Sequence, residues 1–161
     1  MGPGCKRFRG VLLNAGTDIY NFQRFLNAQD STFDMVQSEL AAGRKRTHWM
    51  RFVFPQIKGL GSSPTAQRFA ISNLEEAAAY LEHPVLGRRL EQSTALVNSL
   101  QNRSVQEIFG YPDDLKFHSS MTLFAEVADC DHLETPVFAQ ALAKYFMGRL
   151  DENTLSRLRP G

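Results

Sequence analysis

Beyond the first seventeen residues, nearly every breaking or capping residue is one that starts or stops a helix, and this punctuation constrains the fold more than any other feature. Ser31 with Asp34, Ser72 with Glu75, and Ser104 with Glu107 match the S/T-x-x-D/E box, in which hydroxyl and carboxylate reciprocally satisfy free amides of the first turn. Pro64, Pro84, Pro112 and Pro136 fit the first helical position, where a missing N–H costs nothing. Gly43, Gly110 and Gly148 stand where apolar periodicity ends, as left-handed caps would. Between these marks apolar residues recur at helical spacing, as in Phe22, Phe25 and Leu26 or in Leu86, Leu90, Leu96, Val97 and Leu100. The one ambiguous run is Met50 to Ile57, where Pro55 argues against a central strand; it reads as a short helix begun by Thr47 and ended by Pro55. The expectation is an all-α fold, a single compact multihelical domain of about eight to ten short helices. It spans residues 18–161, after a loose N-terminal segment, residues 1–17. Trp49, Phe52, Phe54, Leu86, Leu90, Leu115, Leu123 and Phe124 are expected in its core.

A chain of 161 residues, 43% apolar and 22% charged, can bury such a core without disulfides or a structural metal. Collagen-like and disordered classes are excluded by composition. The best apolar run, Ala77 to Leu81, falls far short of the roughly 20 residues that cross a bilayer. Cys5 and Cys130 have no CxxC spacing and no neighbouring His pair, so two free thiols in a reducing compartment are expected. Val11-Leu12-Leu13 is too short for a secretory signal, and Lys6 stands where a myristoylation signal needs Ser or Thr, which predicts a cytoplasmic protein.

The formal net charge of +1 conceals an asymmetry. From Leu40 to Leu74 there is no Asp or Glu, while Arg44, Lys45, Arg46, Arg51, Lys58 and Arg68 give that stretch +6; the remaining 12 basic and 17 acidic residues leave −5 elsewhere. His48, Trp49, Phe52 and Phe54 lie in the same stretch, followed by Gly59 and Gly61 before Ser62 and Ser63. Cations beside aromatic faces, with a glycine loop opening a helix at Pro64, are the parts of a site for a phosphate or carboxylate. The plainer reading makes Arg44, Lys45 and Arg46 a solvated run at a helix end and the aromatics core. Nucleic acid is a weaker inference, since there is no long basic stripe.

His48 is the best acid/base candidate, because neighbouring cations would keep its ring neutral. Its partner would be Asp113 or Asp114, although two carboxylates in a first helical turn are also what the helix dipole favours. Lys116 stands beside them. His83 reads as a cap or turn residue, and His118 and His132 are unmarked. Ser119, Ser120 and Thr122 read as close helix packing with hydroxyls bonded back to carbonyls. No metal-ligand spacing, Walker loop, nucleophile elbow or cofactor motif occurs.

The strings Gly43-Arg44-Lys45-Arg46-Thr47-His48-Trp49-Met50, Phe54-Pro55-Gln56, Gly59-Leu60-Gly61, His83-Pro84-Val85-Leu86-Gly87, Ile108-Phe109-Gly110, Asp113-Asp114-Leu115-Lys116 and Ser119-Ser120-Met121-Thr122 carry a resemblance. Together with Tyr20, Arg24-Phe25 and Ala28-Gln29-Asp30, they resemble, in order from about residue 19 to 158, the bacterial family known as domain of unknown function 1810. The resemblance implies an all-helical cytoplasmic domain without an assigned reaction. It also marks Arg44, Lys45, His48, Trp49, Pro55, Gln56, His83, Gly87, Asp113, Asp114, Lys116 and Ser120 as motif positions. Some relatives carry the label calpastatin, but a protease inhibitor of that kind is extended and disordered, whereas this chain is patterned for a core. Arg51 replaces a second Trp usual in the family, and Phe117-His118 replaces Leu-Arg.

The reading that follows is a basic, aromatic site for a phosphorylated or nucleotide-like small molecule. Arg44, Lys45, Arg46, Trp49, Arg51, Gln56, Gly61, Ser63 and Lys116 would bind it, with Trp49 as a stacking face. His48, Asp113 and Asp114 would supply hydrolysis or transfer if there is chemistry. The alternative is a protein-interaction module without chemistry. Neither reading requires a metal, a cofactor or a membrane.

Overall fold

The computed structural model describes residues 17–159. The order is α1 (Gln23–Asp30), α2 (Phe33–Ala41), α3 (Met50–Val53), α4 (Pro64–Arg68), α5 (Leu74–Glu82), α6 (Leu86–Ser99), α7 (Val105–Phe109), α8 (Asp113–Cys130), α9 (Val137–Phe146) and α10 (Glu152–Leu158). Among the described residues the sole departure from helix and loop is an isolated parallel bridge between Ile57 and Ile71. The fold is all-α, as the punctuation requires, and none of these helices is long and apolar enough to cross a membrane.

The longest helix, α8, is the hub. Phe117, Met121, Phe124 and Val127 recur along one face and are buried, and that face packs among α3, α5, α7, α9 and α10. Phe117 meets Phe54 edge-on at 5.1 Å and stacks on Phe109 at 4.7 Å, while Phe124 packs between Tyr80 of α5 and Phe138 of α9. Such aromatic pairs contribute about 0.5–1.5 kcal/mol each beyond the area they bury. Leu115 is a correction to the expected core, since it is 51% exposed. Two residues before Phe117, it lies about 200° around the helix and faces outward. Phe52 is half-buried, and the other expected core residues are buried.

Local competition decides where helices start. Only Ser104 with Glu107 closes a reciprocal box, both bonds at 3.1 Å. The Ser72 box slips by one residue: Asn73 caps α5 by accepting from the Glu76 amide at 2.9 Å, and the Glu76 carboxylate reaches back to the Ser72 amide. Ser31 ends α1 instead of starting α2, and the adjacent Thr32 turns its hydroxyl back to the Ala28 carbonyl at 2.8 Å. Pro64 opens α4, but Pro112 and Pro136 stand one position earlier as caps, and Pro84 lies in the turn before α6. There His83 acts as the sequence suggests, its Nδ1 accepting from the amides of Val85 and Leu86.

Gly43, Gly110 and Gly148 all have φ between +75° and +78°. At Gly43 the amides of Gly43 and Arg44 return to the carbonyls of Leu40 and Glu39, a Schellman closure that turns the chain sharply into the basic segment. Gly87 has another reason. α6 leaves α5 so tightly that a Cβ at Gly87 would lie 1.9 Å from the Leu81 carbonyl oxygen.

Cys130 corrects a further expectation, because it is disulfide-bonded and not a free thiol. The expectations for Cys5 and for the segment before Thr17 lie outside the described residues.

Candidate functional site

The site begins with a residue that the basic run conceals. Glu39 lies on α2 beside Val36 and Leu40, on the face turned into the protein. Its carboxylate accepts from the amides of Arg46 and Thr47 at 2.5 and 3.0 Å, from the Thr47 hydroxyl at 2.7 Å and from Trp49 Nε1 at 3.0 Å. Burial favours the neutral acid, but these donors outweigh it and hold the pKa at about 2. One buried anion thus shapes the loop between α2 and α3. It also explains why α3 starts at Met50 and not near Thr47, whose amide and hydroxyl are already spent.

The shaped loop, α3 and the first turn of α8 enclose a cleft of about 330 Å³ lined by Lys45, His48, Trp49, Met50, Arg51, Phe52, Ser63, Thr65, Asp113 and Lys116. Lys45, with only 8% of its side chain exposed, pairs with Asp113 Oδ2 at 2.8 Å, and Lys116 pairs with Asp113 Oδ1 at 2.9 Å. Burial raises the pKa of Asp113, but the two ammonium groups prevail and hold it below the ordinary carboxylate range. Arg51 adds a third cation. Burial pushes its pKa down against the field of Asp113, and a guanidinium stays charged regardless. It lies so close over Gly61 that a Cβ there would stand 2.7 Å from Arg51 Nη2. No hydrogen bond or ion pair engages the Arg51 guanidinium among the described residues. Three cations therefore face one carboxylate.

A second cleft, about 380 Å³, adjoins the first across Arg51 and Lys116. Gln56, Leu60, Pro112, Leu115, His118, Ser119, Asp151 and Asn153 complete its walls. Gln56 is 6% exposed and its Nε2 has no hydrogen-bond partner.

Seven of the residues singled out in the sequence thus meet at the first cleft: Lys45, His48, Trp49, Arg51, Ser63, Asp113 and Lys116. Arg44 and Arg46 point elsewhere. Arg44 borders a separate surface depression beside Arg103, and Arg46 is exposed, contributing its amide to Glu39. Gln56 lies in the second cleft, and Gly61 acts by making room for Arg51. Asp114 is buried at 5% exposure, with Oδ1 unpartnered, and lines neither cleft.

The geometry lends no support to some of the expected roles. Trp49 is 1% exposed with its ring under the Lys45 ammonium and its N–H on Glu39, so it forms wall and not a stacking face. No hydrogen bond joins His48 to either aspartate among the described residues, and both oxygens of Asp113 are taken by lysines. Ser63 spends its hydroxyl capping the Ala66 amide. On α8, Ser119 bonds back to Leu115 as expected, but Thr122 accepts from the Asp151 amide to dock α10, and the Ser120 hydroxyl is unpartnered. Among the described residues no cluster could hold a metal ion.

Sequence reasoning missed Glu39, Thr65 and the walls of the second cleft other than Arg51, Gln56 and Lys116. Glu39 had one signal, as the last carboxylate before a 35-residue stretch without any, on the apolar face of its helix.

Fold and site together define a small all-helical protein with a basic cleft cut between a short helix and the start of its central one. The chain belongs to the family described as protein of unknown function DUF1810, whose model matches residues 19–158. It is similar to the conserved hypothetical protein Rv1873 from Mycobacterium tuberculosis, whose crystal structure at 1.38 Å is 53% identical in sequence. The two superpose with a TM-score of 0.84, over 89% of this chain and 100% of that one. No curated protein matches the chain.

Proposed function

We propose that the first cleft binds the anionic group of a phosphorylated small molecule. The observation that carries the reading is the surplus of positive charge: Lys45, Arg51 and Lys116 converge where Asp113 balances only one of them, and the Arg51 guanidinium is left without a partner. In a partly desolvated cleft such groups form short charge-assisted bonds to phosphate, and a guanidinium does so in bidentate fashion. Thr65 adds a hydroxyl at the rim. The engagement of Asp113 by lysines supports a role in holding the cations in place and favours binding over proton transfer.

Thermal unfolding with inorganic phosphate, sugar phosphates and nucleotides tests this. A ligand at 100 times its Kd stabilises by about 2.7 kcal/mol. That gain is expected to vanish in Arg51→Met and Lys116→Ala, and to persist in Arg44→Ala and Arg46→Ala. Persistence in Arg51→Met would place the site elsewhere. A flat screen would return the protein to the interaction-module reading, for which Tyr111, 79% exposed at the foot of α8, is the supporting observation.

A further inference from the structure

We infer that the ligand is a nucleoside monophosphate, its phosphate in the first cleft and its nucleoside in the second; the inference rests on the anion reading of the first cleft. Arg51 and Lys116 wall both clefts, so a phosphate paired with them sits at the opening between the two. Whatever is esterified to that phosphate then has the second cleft as its adjoining space. Within the first cleft three cations against Asp113 leave two positive charges for a phosphomonoester of about −1.5 to −2 at neutral pH, while the Asp151 carboxylate in the wall of the second cleft is occupied through its Oδ2 by the hydroxyls of Ser119 and Thr154. Volume agrees: at about 330 and 380 Å³ each cleft alone lies near the lower end of small-molecule sites, and joined they reach the middle of that range.

The lining of the second cleft indicates what the organic part carries. Leu60 and Leu115 offer apolar flanks to a flat ring. Gln56 and Asn153 add two carboxamides, each with both a donor and an acceptor, the pairing that reads the edge of a nucleobase. Gln56 is enclosed and still has an unmet amide donor, so that wall holds recognition capacity the protein itself does not use.

The chain contains a single tryptophan, and Trp49 lies in the wall of the first cleft with its ring against the Lys45 ammonium, so its fluorescence serves as the probe of changes at Lys45. The full chain is titrated with inorganic phosphate, adenosine 5′-monophosphate, ribose 5-phosphate and adenosine. The monophosphate is expected to bind at least about tenfold tighter than inorganic phosphate and than either fragment. Leu115→Gln, on an exposed face where folding is not at risk, is expected to remove most of that advantage while leaving the affinity for inorganic phosphate unchanged. Circular dichroism checks that the variant is folded. A monophosphate that binds no tighter than inorganic phosphate, or a ribose 5-phosphate that binds as tightly as the monophosphate, overturns the nucleoside assignment and leaves the anion cleft standing. Adenosine binding as tightly as its monophosphate, or phosphate binding unaffected by Arg51→Met, overturns the anion reading itself.

Discussion

Arg24 on α1 and Arg51 on α3 are both held against the body of the protein, and their guanidinium groups are used in opposite ways. Arg24 donates to the carbonyls of Asn21, Arg68 and Ala70 at 2.8 to 3.0 Å and to that of Tyr20, pairs with buried Glu76 at 3.2 Å, and lies over the Phe25 ring. Arg51 makes none of these connections and opens onto two clefts. A desolvated cation whose donors are all met is scaffold, because its field ends on its own protein. One whose donors are unmet keeps its field for what arrives from solvent. Composition counts the two alike.

The largest expected effect breaks the scaffold side of this comparison. Arg24→Met strands the Glu76 carboxylate and should lower unfolding stability in urea by about 3–5 kcal/mol, while the Trp49 fluorescence response to anions stays intact in the folded fraction. A loss below about 1 kcal/mol would show that the network around Arg24 is not structural. Next comes Glu39. With its pKa at about 2 against an ordinary 4.5, its folded form binds fewer protons than the unfolded chain. Its contribution, roughly 3 kcal/mol, is therefore complete above pH 4.5 and drains away as pH falls towards 2. Glu39→Gln should lose that stability at neutral pH and show a flatter acid limb, measured as unfolding midpoint against pH. Smallest are Arg44→Ala and Arg46→Ala, expected to change stability by no more than about 0.5 kcal/mol. A larger change in either would mean that the basic loop is structural throughout, and the contrast between used and unused cations would blur.

The fold was legible because helix ends are written locally, in Ser104 with Glu107, in Pro64 and in the three left-handed glycines. It was misread by a residue or two where two local bonds compete, as at Thr32, whose hydroxyl returns to Ala28, and at Asn73, which outcompetes Ser72 for the cap. The site was legible as a chemistry but not as a geometry. Asp113 and Asp114 are one position apart on α8, about 100° in phase, and that step sends one to the cleft and the other to the interior. The loop from Arg44 to His48 has no period at all. Which of its cations turn inward is decided by a carboxylate outside the run, Glu39, through tertiary bonds that no spacing rule encodes.

The contact at Gly87 has a consequence for how sequences of this kind can drift. Every other amino acid brings a Cβ, and here that atom would occupy the place of the Leu81 oxygen, in backbone that rotamer changes cannot relieve. Substitution therefore has no graded series of tolerated intermediates: alanine, the gentlest step available, already forces α5 and α6 apart. Because α5 packs directly on both α6 and α8, opening that elbow would disturb the contact between Tyr80 and Phe124. Variation should then accumulate around the elbow, in exposed neighbours such as Arg88, while the elbow itself stays fixed, a hinge pin in the sequence with no spare part.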